Sequence, residues 1–150
     1  MRRAVLLRSV QRILGEDVTV RDAAYAWSRH RWVAPFGAAV FAAIVFLAPV
    51  ADIEDWPTRI VLGLAGVGVA VMATTDYRVV AETDRGIRVL KASRIRQVAI
   101  ADGEGVPQGA VMEPIGGTII AADWQVGSHR YTVPRSSEQA MERMAAGHRA

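Results

Sequence analysis

Arg88, Lys91, Arg94 and Arg96 stand two or three residues apart in the second half of the chain. Side chains of this type attract phosphate-bearing surfaces, and beside an anionic lipid leaflet each contributes roughly 1 kcal/mol. The same spacing also suits the solvated face of a β-hairpin, and both readings stand at this point. Arg8, Arg12, Arg29 and Arg31 form a second basic set near the N-terminus, and these eight residues are the candidate lipid-binding positions. Little else could do chemistry. His30, His129 and His148 are scattered, and there is no cysteine to serve as nucleophile or metal ligand. Glu113 and Asp123 could approach each other across strands, an arrangement far commoner as a surface carboxylate pair than as an acid/base dyad. No phosphate-cradling glycine loop, GxSxG or HExxH motif occurs. Catalytic residues, metals and cofactors are therefore not expected, nor is enzyme activity. Nucleic acid is not an expected partner either: from Asp76 onward ten basic residues face nine acidic ones, with few aromatics interleaved.

Two uncharged runs must position these groups. Residues 32–51 form twenty positions without Asp, Glu, Lys or Arg, and residues 60–75 a further sixteen. As helices they measure about 30 Å and about 24 Å, and the second reaches full bilayer thickness when residues 56–59 form its first turn and Arg59 snorkels. The short connection between them predicts a transmembrane hairpin. The connection holds Asp52, Glu54 and Asp55 against Arg59, whereas both outer flanks are rich in arginine. Basic residues stay on the cytoplasmic side, so both termini are expected inside and the connection outside. Nothing in the sequence reads as a cleavable leader, and the first run is expected to act as an uncleaved signal anchor. Neither run contains an ionisable residue, which argues against a transport pathway within this chain alone. Ala34, Ala38 and Ala42 on the first helix, and Gly63, Gly66, Ala70 and Thr74 on the second, form small-residue stripes suited to close helix packing and to association of several copies.

In residues 4–14 the side chains of Leu6, Val10, Ile13 and Leu14 share a helical face, with Arg8, Gln11 and Arg12 opposite. Such a helix can lie in the lipid interface or pack on the C-terminal domain or a partner. Thr19 with Asp22 matches a helix-start box and predicts a second helix over residues 20–31, with Tyr25, Trp27 and Trp32 as an aromatic belt. Beyond the second run the period changes to strands over 77–82 and 87–90, joined by Asp84-Arg85-Gly86. A short strand is expected at 97–100, then a loop at Asp102-Gly103-Glu104-Gly105, and further strands at 110–114, 118–124 and 129–133. A helix over 137–146 closes the order, with Ala140, Met141 and Met144 as its apolar face.

From Thr83-Asp84-Arg85-Gly86-Ile87-Arg88-Val89-Leu90 onward, the chain resembles small membrane proteins of high-GC bacteria that place a pleckstrin-homology-like (PH-like) domain after two transmembrane helices. In that family a TDR turn joins the first two strands. The last strand pair ends in an aromatic-basic stretch, and a helix closes the domain. Trp124, then His129-Arg130-Tyr131-Thr132-Val133, then residues 137–146 follow in this order. The resemblance covers residues 76–147 in pattern and the hairpin in layout. It departs in showing about five strands where a PH-like barrel has seven, so either the domain is abbreviated or the loop at 98–109 hides a strand. A fold-level likeness does not carry function.

The expected architecture is a membrane α-helical hairpin plus a small α+β domain, an antiparallel sheet or partial barrel with a C-terminal helix. Residues 1–31 form a basic amphipathic helical segment, 32–75 the hairpin and 76–150 the cytoplasmic β-rich domain. The function these features suggest is that of a membrane-anchored adaptor or accessory protein binding a protein partner or an anionic lipid surface. The alternative is an accessory subunit of a membrane transport or pore complex, holin-like pore formers included, acting through the spans. Expected partners are membrane lipids, a protein such as a membrane complex, and further copies of this chain.

Overall fold

The two apolar runs interrupt a β-sheet rather than separate an N-terminal segment from a C-terminal domain. The structure, a computed structural model, describes residues 3–29 and 32–149. One unit joins Met1–Ser28 to Tyr77–Ala150, and the other is Arg29–Asp76. The sheet unit is built from α1 (Arg3–Leu14), β1 (Val20–Arg29), β2 (Thr75–Thr83), β3 (Gly86–Ala92), β4 (Ala99–Gly105), β5 (Met112–Gly117), β6 (Ala121–Val126), β7 (His129–Pro134) and α4 (Arg135–Arg149). The apolar unit consists of α2 (Val33–Leu47), a 3-10 turn at Ala48–Ala51, and α3 (Trp56–Ala73).

Seven strands form one antiparallel sheet in the order β4-β3-β2-β1-β7-β6-β5. Its middle strand, β1, occupies residues read from the sequence as a helix. Ala24 and Ala26 enter the core beneath α4, while Ala23 and Tyr25 enter the core beneath α1. A strand covered on both faces shows no polar/apolar alternation. Its alanines favour helix intrinsically, and sheet neighbours on both sides override them. Asp22, expected as the helix-start acid, is 3% exposed. It accepts from Arg143 Nε at 2.8 Å and pairs with Arg3 at 3.1 Å, tying β1 to α4 and α1. The expected aromatic belt also gives way, because Tyr25 is core and Trp27 packs partly buried beside it.

β4 overlaps the short strand expected at 97–100 but runs on to Gly105, so the 98–109 stretch does hold a strand, as one of the two alternatives had it. Arg88↔Gly105 and Ala92↔Ala99 pair it with β3, so the Asp102–Gly105 stretch is ladder and not loop. A Cβ on Gly103 would run into the Val89 carbonyl, so this glycine permits a close backbone approach beside a register shift. Smaller corrections concern β5, which begins at Met112, and β6, which begins at Ala121. The strand at 129–133 and the closing helix lie where the sequence places them.

Both faces of the sheet carry core. Trp124, Val80 and Val133 of the sheet form one core with Met141 and Met144 of α4. Val79 and Leu90 form the other with Leu6 and Val10 of α1. With Leu6 and Val10 at 3% and 0% exposure, the apolar face of α1 belongs to this core and is not laid in a lipid interface. The TDR turn locks the α1–β1 connection. The Thr83 hydroxyl donates to Gly86 O at 2.7 Å, Asp84 accepts from the Thr19 N–H at 3.2 Å, and Arg85 donates to Asp17 O at 3.3 Å.

In the apolar unit, bulky side chains of α2 fill notches on α3. A Cβ on Gly63 would sit 2.7 Å from the Phe41 ring, and one on Gly66 would overlap Ile44. Gly63 and Ala70 are buried. On α2 the contact face carries Gly37, Val40, Phe41, Ile44 and Val45. Ala34 and Ala38 are exposed and Ala42 is half-buried, so this expected stripe is not the centre of the hairpin seam. Large side chains on one helix meeting glycines on the other give closer interlock than two alanine rows. Thr74 serves its own helix: its hydroxyl donates to Ala70 O at 2.7 Å, and Thr75 donates to Val71 O at 2.6 Å. Ala70 O also accepts the Thr74 N–H, so the Thr75 bond is the one that serves a carbonyl near the open end of the helix. At the other end Asp55 accepts from the Thr58 N–H at 2.9 Å, and hydrogen bonding from the Thr58 side chain first, then from this N–H, holds its carboxyl below the usual range. Arg59 donates to Ile53 O at 2.8 Å and lies over the Trp56 ring. Both helices are long and apolar enough to cross a bilayer, and only 17% and 11% of their apolar windows are buried. That leaves Phe36, Phe46, Val61, Leu64 and Val69 outward-facing, unlike the helices of a soluble core.

Candidate functional site

β3 runs back toward the end of the sheet at which β2 begins, with Arg78 opposite Lys91. The loop after β3 therefore lies at that end, together with Lys91, Arg94 and Arg96. All three are exposed. Arg88 leaves the set. It sits further along β3 and its Nη2 lies 2.9 Å from Asp102 on β4, so its charge is already matched. Arg8 and Arg12 are exposed on the outer face of α1. The Ala99 N–H donates to the Ser9 hydroxyl at 3.1 Å, which fixes the middle of α1 beside the base of the same loop. The side chain of Arg29, and the whole of His30 and Arg31, lie outside the described residues.

The loop itself is a tight turn. The Ser93 N–H donates to Val98 O at 2.8 Å and the Gln97 N–H to Ser93 O at 2.9 Å. Gln97 takes a left-handed φ of 51° to close it. At its tip Ile95 is 91% exposed between two arginines. Sequence reasoning marked the arginines and missed the isoleucine, although an apolar residue inside an Arg-x-Arg turn was the available signal.

Beneath this end of the sheet, Tyr25 stacks on Tyr77 with ring centroids 6.1 Å apart. The Tyr25 hydroxyl is buried without a hydrogen-bond partner among the described residues. Burial, with a smaller contribution from Tyr77, pushes this phenol from 10.0 up to about 12, and Arg94 acts in the opposite direction. A raised value means the native state disfavours the phenolate. Stability from this group is then complete below pH 10 and lost as pH rises toward 12. The Tyr25→Phe variant should match the parent in urea unfolding at pH 7, since it removes an unpaired hydroxyl. It should also show a shallower loss of stability between pH 10 and 12. Identical alkaline slopes would remove Tyr25 as the cause.

The carboxylates of Glu113 and Asp123 lie on neighbouring strands but not directly opposite each other. Asp123 accepts from Arg130 at 2.7 Å and from the Thr132 hydroxyl at 2.7 Å. Glu113 lies opposite Gln125 instead. No group of three or more His, Asp or Glu gathers to hold a metal among the described residues.

The opposite end of the sheet carries a second exposed apolar feature, at residues 118–120 between β5 and β6. Ile119 and Ile120 are 95% and 80% exposed. Their backbone is held: Thr118 N–H donates to Ala121 O at 2.7 Å, and Arg135 donates from Nη2 to Thr118 O at 3.0 Å and from its N–H to Ile120 O at 3.2 Å.

These features define a class by architecture: an antiparallel β-unit closed by a C-terminal helix, with an apolar two-helix hairpin inserted between two neighbouring strands. No family model, curated protein or solved structure matches the chain.

Proposed function

We propose that the chain is a two-pass, membrane-anchored adaptor with both termini in the cytoplasm, whose β-domain is of the PH-like kind and presents a docking surface to a protein partner. The observation that carries this reading is the place of the hairpin. Its flanks build one sheet, so both flanks must lie on one side of any membrane the helices cross. The arginine-rich flanks and the acidic connection favour the cytoplasm as that side. Seven antiparallel strands followed by a helix support the PH-like resemblance in strand number and closing helix, although β1 here precedes the hairpin. The pinned Ile119-Ile120 turn, at the end of the sheet away from the hairpin connections, is the surface that fits an apolar partner.

The chain has no cysteine, so a single introduced thiol reports topology cleanly. A thiol at Glu54→Cys should react with an impermeant maleimide from outside intact cells, and a C-terminal reporter should be active in the cytoplasm. A C-terminus exposed outside would overturn the adaptor reading.

The transport- or pore-subunit reading draws on the exposed Ala34 and Ala38, which the hairpin seam leaves unused. Replacing α2 and α3 with an unrelated two-span anchor separates the two. An adaptor keeps the partner that co-purifies with the native chain, and loses it on Ile119→Ser/Ile120→Ser substitution. A transport or pore subunit loses the partner with its own spans.

A further inference from the structure

The two chain connections to the hairpin leave the sheet at one of its ends. β1 ends at Arg29 and α2 begins at Val33, while α3 ends at Ala73 and β2 begins at Thr75. A chain advances at most about 3.5 Å per residue, so the start of β2 is tethered within about 7 Å of the end of α3. The residue 93–98 loop belongs to this same end of the sheet, because Lys91 pairs with Arg78 and Ala92 with Ala99.

Nothing in the fold accounts for what this loop displays. Ile95 is 91% exposed and contributes no packing. Arg94 and Arg96 flank it, and from Arg85 to Ala101 the sequence contains basic residues and no acidic one. The turn is held by its own backbone bonds, so the isoleucine is presented on a formed scaffold. An apolar tip between two cations matches the bilayer interface, where acyl chains begin just beneath a layer of phosphates.

We infer that the residue 93–98 loop is a membrane-docking finger, with Ile95 seated in the interface of the bilayer that holds the chain's own hairpin and Arg94 and Arg96 on headgroup phosphates beside it. This rests on the anchored reading above and adds to it a defined contact, made by the end of the sheet that carries the 93–98 loop and not by the opposite end, which carries the Ile119-Ile120 turn. Arg88, matched to Asp102, takes no part.

The test uses the full chain in lipid nanodiscs with or without phosphatidylglycerol. Single thiols at Ser93→Cys and Ile119→Cys carry an environment-sensitive fluorophore, and nitroxide-bearing lipid is the quencher. The label at position 93 should be quenched in anionic discs and the label at 119 should not. Adding Arg94→Gln and Arg96→Gln should lower the ratio of docked to undocked loop about fivefold for each arginine removed. Added salt should act in the same direction, and Ile95→Ser should weaken quenching as well. Equal quenching at 93 and 119 overturns the inference. So does quenching at 93 that is indifferent to all three substitutions, because the tether alone would then explain it. Alkaline carbonate washing of native membranes reports the anchor separately. Extraction of the chain overturns the anchored reading and the finger with it, whereas retention with an undocked loop overturns the finger alone.

Discussion

Residues 76–150 expressed alone should fail to fold, whereas Met1–Ser28 joined to Tyr77–Ala150 by a short Asn-Gly turn should give a stable soluble domain. The fragment contains six of the seven strands but lacks β1, the middle of the order β4-β3-β2-β1-β7-β6-β5. Without β1 the sheet falls into two three-stranded pieces with no hydrogen bonds between them. The fragment also lacks α1, so Val79 and Leu90 lose the cover of Leu6 and Val10. The joined form loses none of this. Neighbouring strands stand about 4.8 Å apart, a gap that a tight turn closes. Domains of this size are stable by about 5–15 kcal/mol, and removal of a central strand with one covering helix exceeds that margin. Urea unfolding followed by circular dichroism decides the matter. The joined form should show one cooperative transition and the fragment none. A cooperative transition in the fragment would make β1 dispensable and the observed strand order wrong.

The largest expected effect of a single substitution is at Trp124. Its side chain is 2% exposed, on β6 opposite Pro114 and Tyr131, in the core shared with Val133, Met141 and Met144. Trp124→Ala should cost about 3–5 kcal/mol, the usual loss for truncating a buried aromatic. Its indole Nε1 has no partner among the described residues, so no hydrogen bond is lost with it. Trp124→Phe should therefore cost distinctly less than alanine, because it keeps an aromatic ring and removes an orphaned donor. Both are measured as shifts in urea midpoint in the joined soluble form. Equal losses for the two variants would show that the ring contributes nothing to the packing.

How much of this was legible in the residues depends on where each signal originates. The two apolar runs are read directly, because twenty uncharged positions leave few alternatives and the length of a helix follows from its rise. The strand at 129–133 and the closing helix were legible for a similar reason: each has one buried and one solvated face. β1 was not legible. Ala23, Ala24, Tyr25 and Ala26 are all buried, and a segment covered on both faces shows no period. Its strand character comes from neighbours that lie fifty or more residues away in sequence. β4 was legible only at its start, near the short strand read at 97–100, since Asp102, Gly103 and Glu104 carry turn chemistry while serving as an edge ladder. Of the candidate basic residues, position along the chain indicated Lys91, Arg94 and Arg96. It could not reveal that Arg88 is matched by Asp102 fourteen residues on. Ile95 was overlooked because an isolated apolar residue becomes informative only once its exposure is known.

Insertion of the hairpin between β1 and β2 imposes an order on biosynthesis. The ribosome delivers β1 first, then both apolar helices, and only afterwards the strands that β1 must join. If the two helices cross a membrane, as proposed, β1 and its neighbours cannot meet until both have crossed. A chain that inserts one helix and leaves the other behind puts β1 on the opposite face of the bilayer from β2 to β7. Such a molecule cannot complete its sheet, because β1 is the strand that joins β2 to β7. On the anchored reading proposed above, correct threading of both helices is therefore a precondition for completing the sheet, and the β-unit reports on the topology of the segment inserted in it.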